Sequence, residues 1–228
     1  MRKSWWKILC VILLAYTIVA GLLLPVPRLP LVHESIRNLY FHVPMWFGMV
    51  VLFVVSVVYS IKYLTSGNLM HDLYAVSFAK VGVVFSLLGM VTGMEWAYFT
   101  WPSDIKNANF LWTGDPKQLC AAICMLIYMA YLVLRGSVPD FDQRAKISAI
   151  YNVFACALMF PLIFVIPRMV ESLHPGSGGN NPADPKNLDA MMRAVFWPGV
   201  LGWILLGVWF TSIVIRITLI EKREVFHA

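Results

Sequence analysis

Two of the five histidines in this chain, His42 and His174, stand where an imidazole can act as a metal ligand. His42 comes just before Pro44, at the mouth of one apolar stretch. His174 follows another, in Glu171-Ser172-Leu173-His174-Pro175-Gly176. The topology derived below puts both on one side of a bilayer and at similar depth. Two neutral imidazoles held in this way can ligate a single haem iron axially. Zinc usually takes three or four close protein ligands, and no such set accompanies them. The plainer alternative is a pair of interfacial histidines with ordinary hydrogen bonds. His33 reads as a solvated loop residue, and His71 and His227 carry no assigned role.

Aromatic residues crowd the segment between these histidines. It reads Glu95-Trp96-Ala97-Tyr98-Phe99-Thr100-Trp101 and then Asn109-Phe110-Leu111-Trp112-Thr113-Gly114-Asp115-Pro116-Lys117. An interfacial belt explains some of the Trp and Tyr. The remainder, broken by Pro and Asp, suits a platform for a flat apolar ligand such as a porphyrin. The two propionates of a porphyrin need cations or N–H donors. Arg37, Arg168, Arg193 and Lys117 are the candidates, with interfacial anchoring as the alternative for each. Arg37 ranks first, because it precedes His42 closely and topology demands no cation there.

These residues must be positioned by a membrane. The chain is 60% hydrophobic and 13% charged, against roughly 25% charged in soluble domains. Stretches of about 20 apolar residues suffice to span a bilayer. They fall at about 5–24, 43–64, 73–94, 117–135, 147–166 and 195–219. The fold expected is an all-α bundle of six transmembrane helices forming a single domain over residues 1–228. Pro44 should occupy the first turn of the second span, where its missing N–H bonds nothing. The first stretch is too long for a cleavable h-region, has no small-x-small site after it, and ends at Pro25, Pro27 and Pro30, so it should remain a span.

The net charge of +6 does not point to nucleic acid, because Lys and Arg sit at the ends of apolar segments. Arg2, Lys3, Lys7, Lys62, Arg135, Arg144, Lys146, Arg216, Lys222 and Arg223 concentrate on the short segments of one side. Both termini are therefore expected in the cytoplasm, with the longer, chemically richer loops on the outer face. Lys80 alone lies inside a span, where its stem can snorkel to the inner interface. Cys10, Cys120, Cys124 and Cys156 form neither a redox nor a zinc motif. There is no phosphate-binding loop, no H-E-x-x-H, no G-x-S-x-G and no haem-attachment C-x-x-C-H, so an enzyme is not expected and any haem would be held non-covalently. Rival readings are a membrane-bound haem redox protein, a permease subunit of a small-molecule exporter, and a scaffold without ligand.

Arg37-x-x-Tyr40-Phe41-His42-Val43-Pro44 resembles the segment before the second span of the CcmC family, haem-handling membrane proteins of cytochrome c maturation. Leu173-His174-Pro175-Gly176-Ser177, with Asp184-Pro185 and Met192-Arg193, resembles the last outer loop of that family, and the length and six-span layout match too. The wider CcmC/CcmF/CcsA family carries a signature W-G-x-x-W-x-W-D, often continued P-K-E. Phe110 and Trp112 take two of its aromatic positions and Asp115-Pro116-Lys117 its end. Gly114 replaces the last tryptophan and Gln118 the closing acid, while Trp96 and Trp101 add aromatics upstream. The resemblance implies haem b at the outer face of the inner membrane, with His42 and His174 as axial ligands. It also implies two partners, a membrane-anchored haem chaperone of the CcmE type and an ABC-type complex whose ATP is hydrolysed by other subunits.

Overall fold

In the computed structural model, which describes residues 4–27, 33–101, 114–172, 174 and 188–221, six helical segments are long and apolar enough to cross a membrane. No strand occurs among the described residues. Helix α1 is Trp5–Leu23. A 3-10 turn, His33–Asn38, leads directly into α2, Leu39–Ser66. Then come α3 (Leu69–Thr100), α4 (Pro116–Ser137) and α5 (Phe141–Phe160). A π-helical turn, Pro161–Val165, and the short α6, Ile166–Met169, extend the fifth crossing, and α7 (Ala190–Glu221) makes the sixth.

Local chemistry sets most boundaries. Gly67 takes the left-handed conformation (φ 67°) that ends α2. Asn68 then caps α3 by accepting from the Met70 N–H at 2.9 Å. This two-residue connection leaves α2 and α3 as antiparallel neighbours packed along much of their length. Asp115 and Asp140 cap α4 and α5 in the same way. Pro161 and Pro167 withdraw backbone donors from the end of the fifth crossing, and the Ile166 N–H reaches back to the Pro161 carbonyl in a widened turn.

Two expectations are corrected. Pro44 is not in the first turn of its helix but inside α2, because the 3-10 turn feeds the helix from Leu39 onward. Its missing N–H removes the usual partner of the Tyr40 carbonyl. Gly199 of α7 crosses there, and a Cβ on it would stand 3.6 Å from that oxygen. Trp96 was expected on a loop, yet α3 continues through Thr100. With 32 residues α3 is about 48 Å long, well beyond the ~30 Å hydrocarbon core, and Trp96 is carried on its last turns.

Lipid offers helices no hydrophobic reason to associate, so small residues and polar contacts must join them. Phe53 of α2 stacks on Tyr128 of α4, with centroids 3.5 Å apart and planes within 7°. Deep in the bundle, Asn152 of α5 donates to Ser56 Oγ at 2.7 Å and Ser60 Oγ at 2.8 Å, and Ser56 donates on to the Ala75 carbonyl at 2.7 Å. At the end that carries both termini, the Arg135 guanidinium of α4 forms a two-pronged ion pair with the Asp72 carboxylate of α3. Asp72→Leu strands that guanidinium and is expected to lower stability by about 3 kcal/mol. Asp72→Leu combined with Arg135→Met is expected to recover most of the loss. Denaturation in mixed micelles, followed by circular dichroism, checks both.

Candidate functional site

At the opposite end of the bundle the two candidate histidines meet. His42, near the start of α2, is buried, and its ring lies 5.9 Å from that of His174, centroid to centroid, with a tilt of 43°. The ring of His42 fits because α3 offers it a bare face. A Cβ on Gly93 would come within 2.7 Å of His42 Cε1, and one on Gly89 within 2.9 Å of the Trp46 indole. His42 and Trp46, four residues apart on α2, thus dock against two glycines four apart on α3. The two rings meet edge to face at 6.2 Å.

Thr92 is the side-chain partner of the His42 ring on α3. A hydroxyl has one proton, and Thr92 Oγ1 donates it within its own helix, to the Leu88 carbonyl at 2.9 Å. Thr92 Oγ1 stands 3.1 Å from His42 Nδ1, and with the hydroxyl proton on the Leu88 carbonyl the imidazole is the donor in that contact. That assignment puts the proton on Nδ1 and leaves the lone pair on Nε2.

His174 belongs to no helix. Its backbone N–H donates to Ser172 Oγ at 3.1 Å, and Ser172 donates to Asp115 Oδ2 at 2.7 Å. Asp115 uses its other oxygen to accept from the Lys117 N–H at 2.9 Å as the cap of α4. One carboxylate thus starts a helix and ties down the segment that carries the second imidazole. Lys117 Nζ stands 3.5 Å from His174 Nδ1; an ammonium can only donate, so Nδ1 accepts. The Trp96 indole lies 6.2 Å from the His174 ring and donates to the Ser35 carbonyl at 3.1 Å, tying α3 to the 3-10 turn.

Below the two imidazoles is a mainly apolar cavity of about 310 Å³ between α2, α3, α4 and the π-helical turn. Val43, Phe47, Met90 and Ile163 line it, with Trp101, Asp115, Lys117 and Arg168 among its polar and aromatic members. The Trp101 indole N–H is buried there with no acceptor among the described residues. Arg168 donates to the Phe164 carbonyl and lies over the Phe164 ring, with its side chain exposed.

Of the candidates from sequence, His42, His174, Trp96, Trp101, Asp115, Lys117 and Arg168 come together here. Arg37 does not. Its guanidinium donates to the Gly21 and Leu24 carbonyls at 2.6 and 2.8 Å, satisfying the open end of α1, and pairs with Glu34 at 2.7 Å. Arg193 donates to the Leu188 carbonyl at 2.9 Å and is not in the cavity wall. Phe110 and Trp112 lie outside the described residues. Sequence reasoning missed Thr92, Ser172 and Trp46. The paired spacing of Gly89 and Gly93 was a readable signal for a close helix approach; a buried threonine or a loop serine carries none.

A family profile described as "CcmC: Heme exporter protein C" matches residues 2–227. Similar proteins include heme exporter protein C of Rhodobacter capsulatus, 25% identical over 194 residues, which make up 83% of this chain and 74% of that protein. Heme exporter protein C of Haemophilus influenzae is 24% identical over 196 residues, 83% of this chain and 73% of the relative. The Escherichia coli K12 protein of the same name is 24% identical over 200 residues, 84% and 74% of the two chains. If Asp115 anchors the His174 segment, Asp115→Ala should cost about 1 kcal/mol as a lost cap and raise hydrogen exchange around residues 171–174; unchanged exchange there would remove that anchoring role.

Proposed function

The chain belongs to the CcmC family of multi-pass inner-membrane proteins, and from that premise we propose that it binds haem b non-covalently on the outer face and presents it to a haem chaperone during cytochrome c maturation. His42 and His174 are its axial ligands in this reading. The observation that carries it is the approach of two imidazoles, far apart in the sequence, to 5.9 Å at the mouth of an apolar cavity. Metal–imidazole bonds of about 2 Å would put two rings on either side of one metal with centroids about 6 Å apart.

The surroundings fit the rest of such a ligand. The apolar wall suits the ring, and the Lys117 and Arg168 cations, with the unmatched Trp101 N–H, suit carboxylates. Trp96 flanks His174 as part of the platform. The volume, about 310 Å³, is at the small end for ligand pockets. It suits a site that grips part of a flat molecule and leaves an edge for a partner, here a membrane-anchored chaperone of the CcmE type. Hydrolysis of ATP belongs in this reading to an ABC-type complex of other subunits. The Lys and Arg distribution supports cytoplasmic termini.

His42 offers its Nε2 lone pair directly. The lone pair of His174 on Nδ1 faces the Lys117 ammonium, so ligation requires Lys117 to turn away, and a propionate gives it a partner to turn toward. The purified protein loaded with haem is expected to give a low-spin spectrum with two axial histidines. His42→Ala or His174→Ala should convert it to high spin or weaken it; if both variants keep the wild-type spectrum, the ligand assignment is wrong. Thr92→Val keeps the shape but removes the acceptor for Nδ1–H, and is expected to weaken haem retention roughly tenfold, measured by haem transfer to an apo-globin. Equal retention by Thr92→Val and wild type would take Thr92 out of the site.

A further inference from the structure

We infer that a second cavity, of about 280 Å³ at the end of the bundle bearing both termini, is a binding site for the phosphate headgroup of an anionic phospholipid. Its wall carries three cations, Lys80 of α3, Arg135 of α4 and Arg144 of α5, against one carboxylate, Asp72. Asp72 is committed to Arg135. Among the described residues neither Lys80 nor Arg144 has a carboxylate partner, so the cavity keeps uncompensated positive charge. Arg144 is held in place by stacking over the Phe141 ring at 4.3 Å. Basic pockets between membrane helices on the cytoplasmic side are where anionic headgroups bind, and the charge distribution places this end there.

A free phosphate would need only the cations. The apolar track beside them argues for a lipid. Val84, Leu87, Leu88 and Val91 are all exposed, and they follow Lys80 at helical spacing along the same face of α3. A cationic pocket continued by an exposed apolar stripe matches a headgroup and its acyl chains. The site shares no lining residue with the histidine cavity, so it stands independently of the haem reading.

The test uses the full chain purified in a neutral detergent and offered equal amounts of phosphatidylglycerol and phosphatidylcholine with identical chains. Retained lipid is counted by native mass spectrometry. Wild type is expected to favour phosphatidylglycerol by about tenfold or more, and Lys80→Ala and Arg144→Gln to lower that preference roughly fivefold each. Both substitutions leave the Asp72–Arg135 pair intact, and unchanged circular dichroism confirms the fold. Millimolar glycerol 3-phosphate should not displace the lipid; displacement would show a soluble-phosphate site and overturn the proposal. So would equal retention of the two lipids by wild type, an undiminished preference in both variants, or displacement of the lipid by haem.

Discussion

An imidazole can lie against a helix only where that helix has no side chain to push it away. This steric condition, met by Gly93 of α3 beneath His42 and by Gly89 beneath Trp46, governs the half of the bundle that carries the two histidines. Without it α2 and α3 would separate at that end, and Thr92 would lose its contact with the ring. The same device recurs lower down, where Gly48 meets Phe85 across the two helices. In lipid this close approach substitutes for the hydrophobic drive that water would supply, because dispersion between closely fitted surfaces is what remains.

Much of the fold was legible because a bilayer imposes a simple rule. Each crossing must satisfy its backbone internally, so apolar length alone locates the spans. The six stretches read from hydropathy correspond to the six observed crossings. Their ends were less legible. Hydropathy loses α3 near Met94 because Glu95 and the aromatics that follow look like an interface, yet nothing there breaks a helix, and it continues to Thr100. Pro44 misled in the opposite sense. A proline reads as a helix start, but the 3-10 turn ahead of it had already set the chain winding.

The candidate site was legible in its ring and charge chemistry and less so in its supports. His42, His174 and Lys117 stand out by type and by position relative to the spans. Arg37 stood out by the same criteria and sits elsewhere, because proximity in sequence says nothing about which carbonyls an upstream helix leaves open. Gly21 and Leu24 do so at the end of α1, and Arg37 meets them. The Asp115–Ser172–His174 chain could not be read in advance, since it joins two loops distant in sequence through groups common in any loop.

A carrier has to release what it holds, and the two imidazoles are mounted unequally. His42 is part of a long helix, seated on glycine and tethered through Nδ1. His174 is on irregular chain, tethered through its backbone to Ser172 and from there to one carboxylate. Opening the first would disturb the α2–α3 pairing; opening the second leaves every helix in place and disrupts, among the contacts of irregular chain, the His174–Ser172 and Ser172–Asp115 hydrogen bonds, each worth about 1 kcal/mol net. On the proposed reading, His174 is therefore the ligand that yields. Lys117, capable of turning between the His174 ring and a carboxylate, supplies a ready partner for the imidazole once the ligand departs. Firm capture on one side and inexpensive release on the other then follow from where helix ends and loop begins.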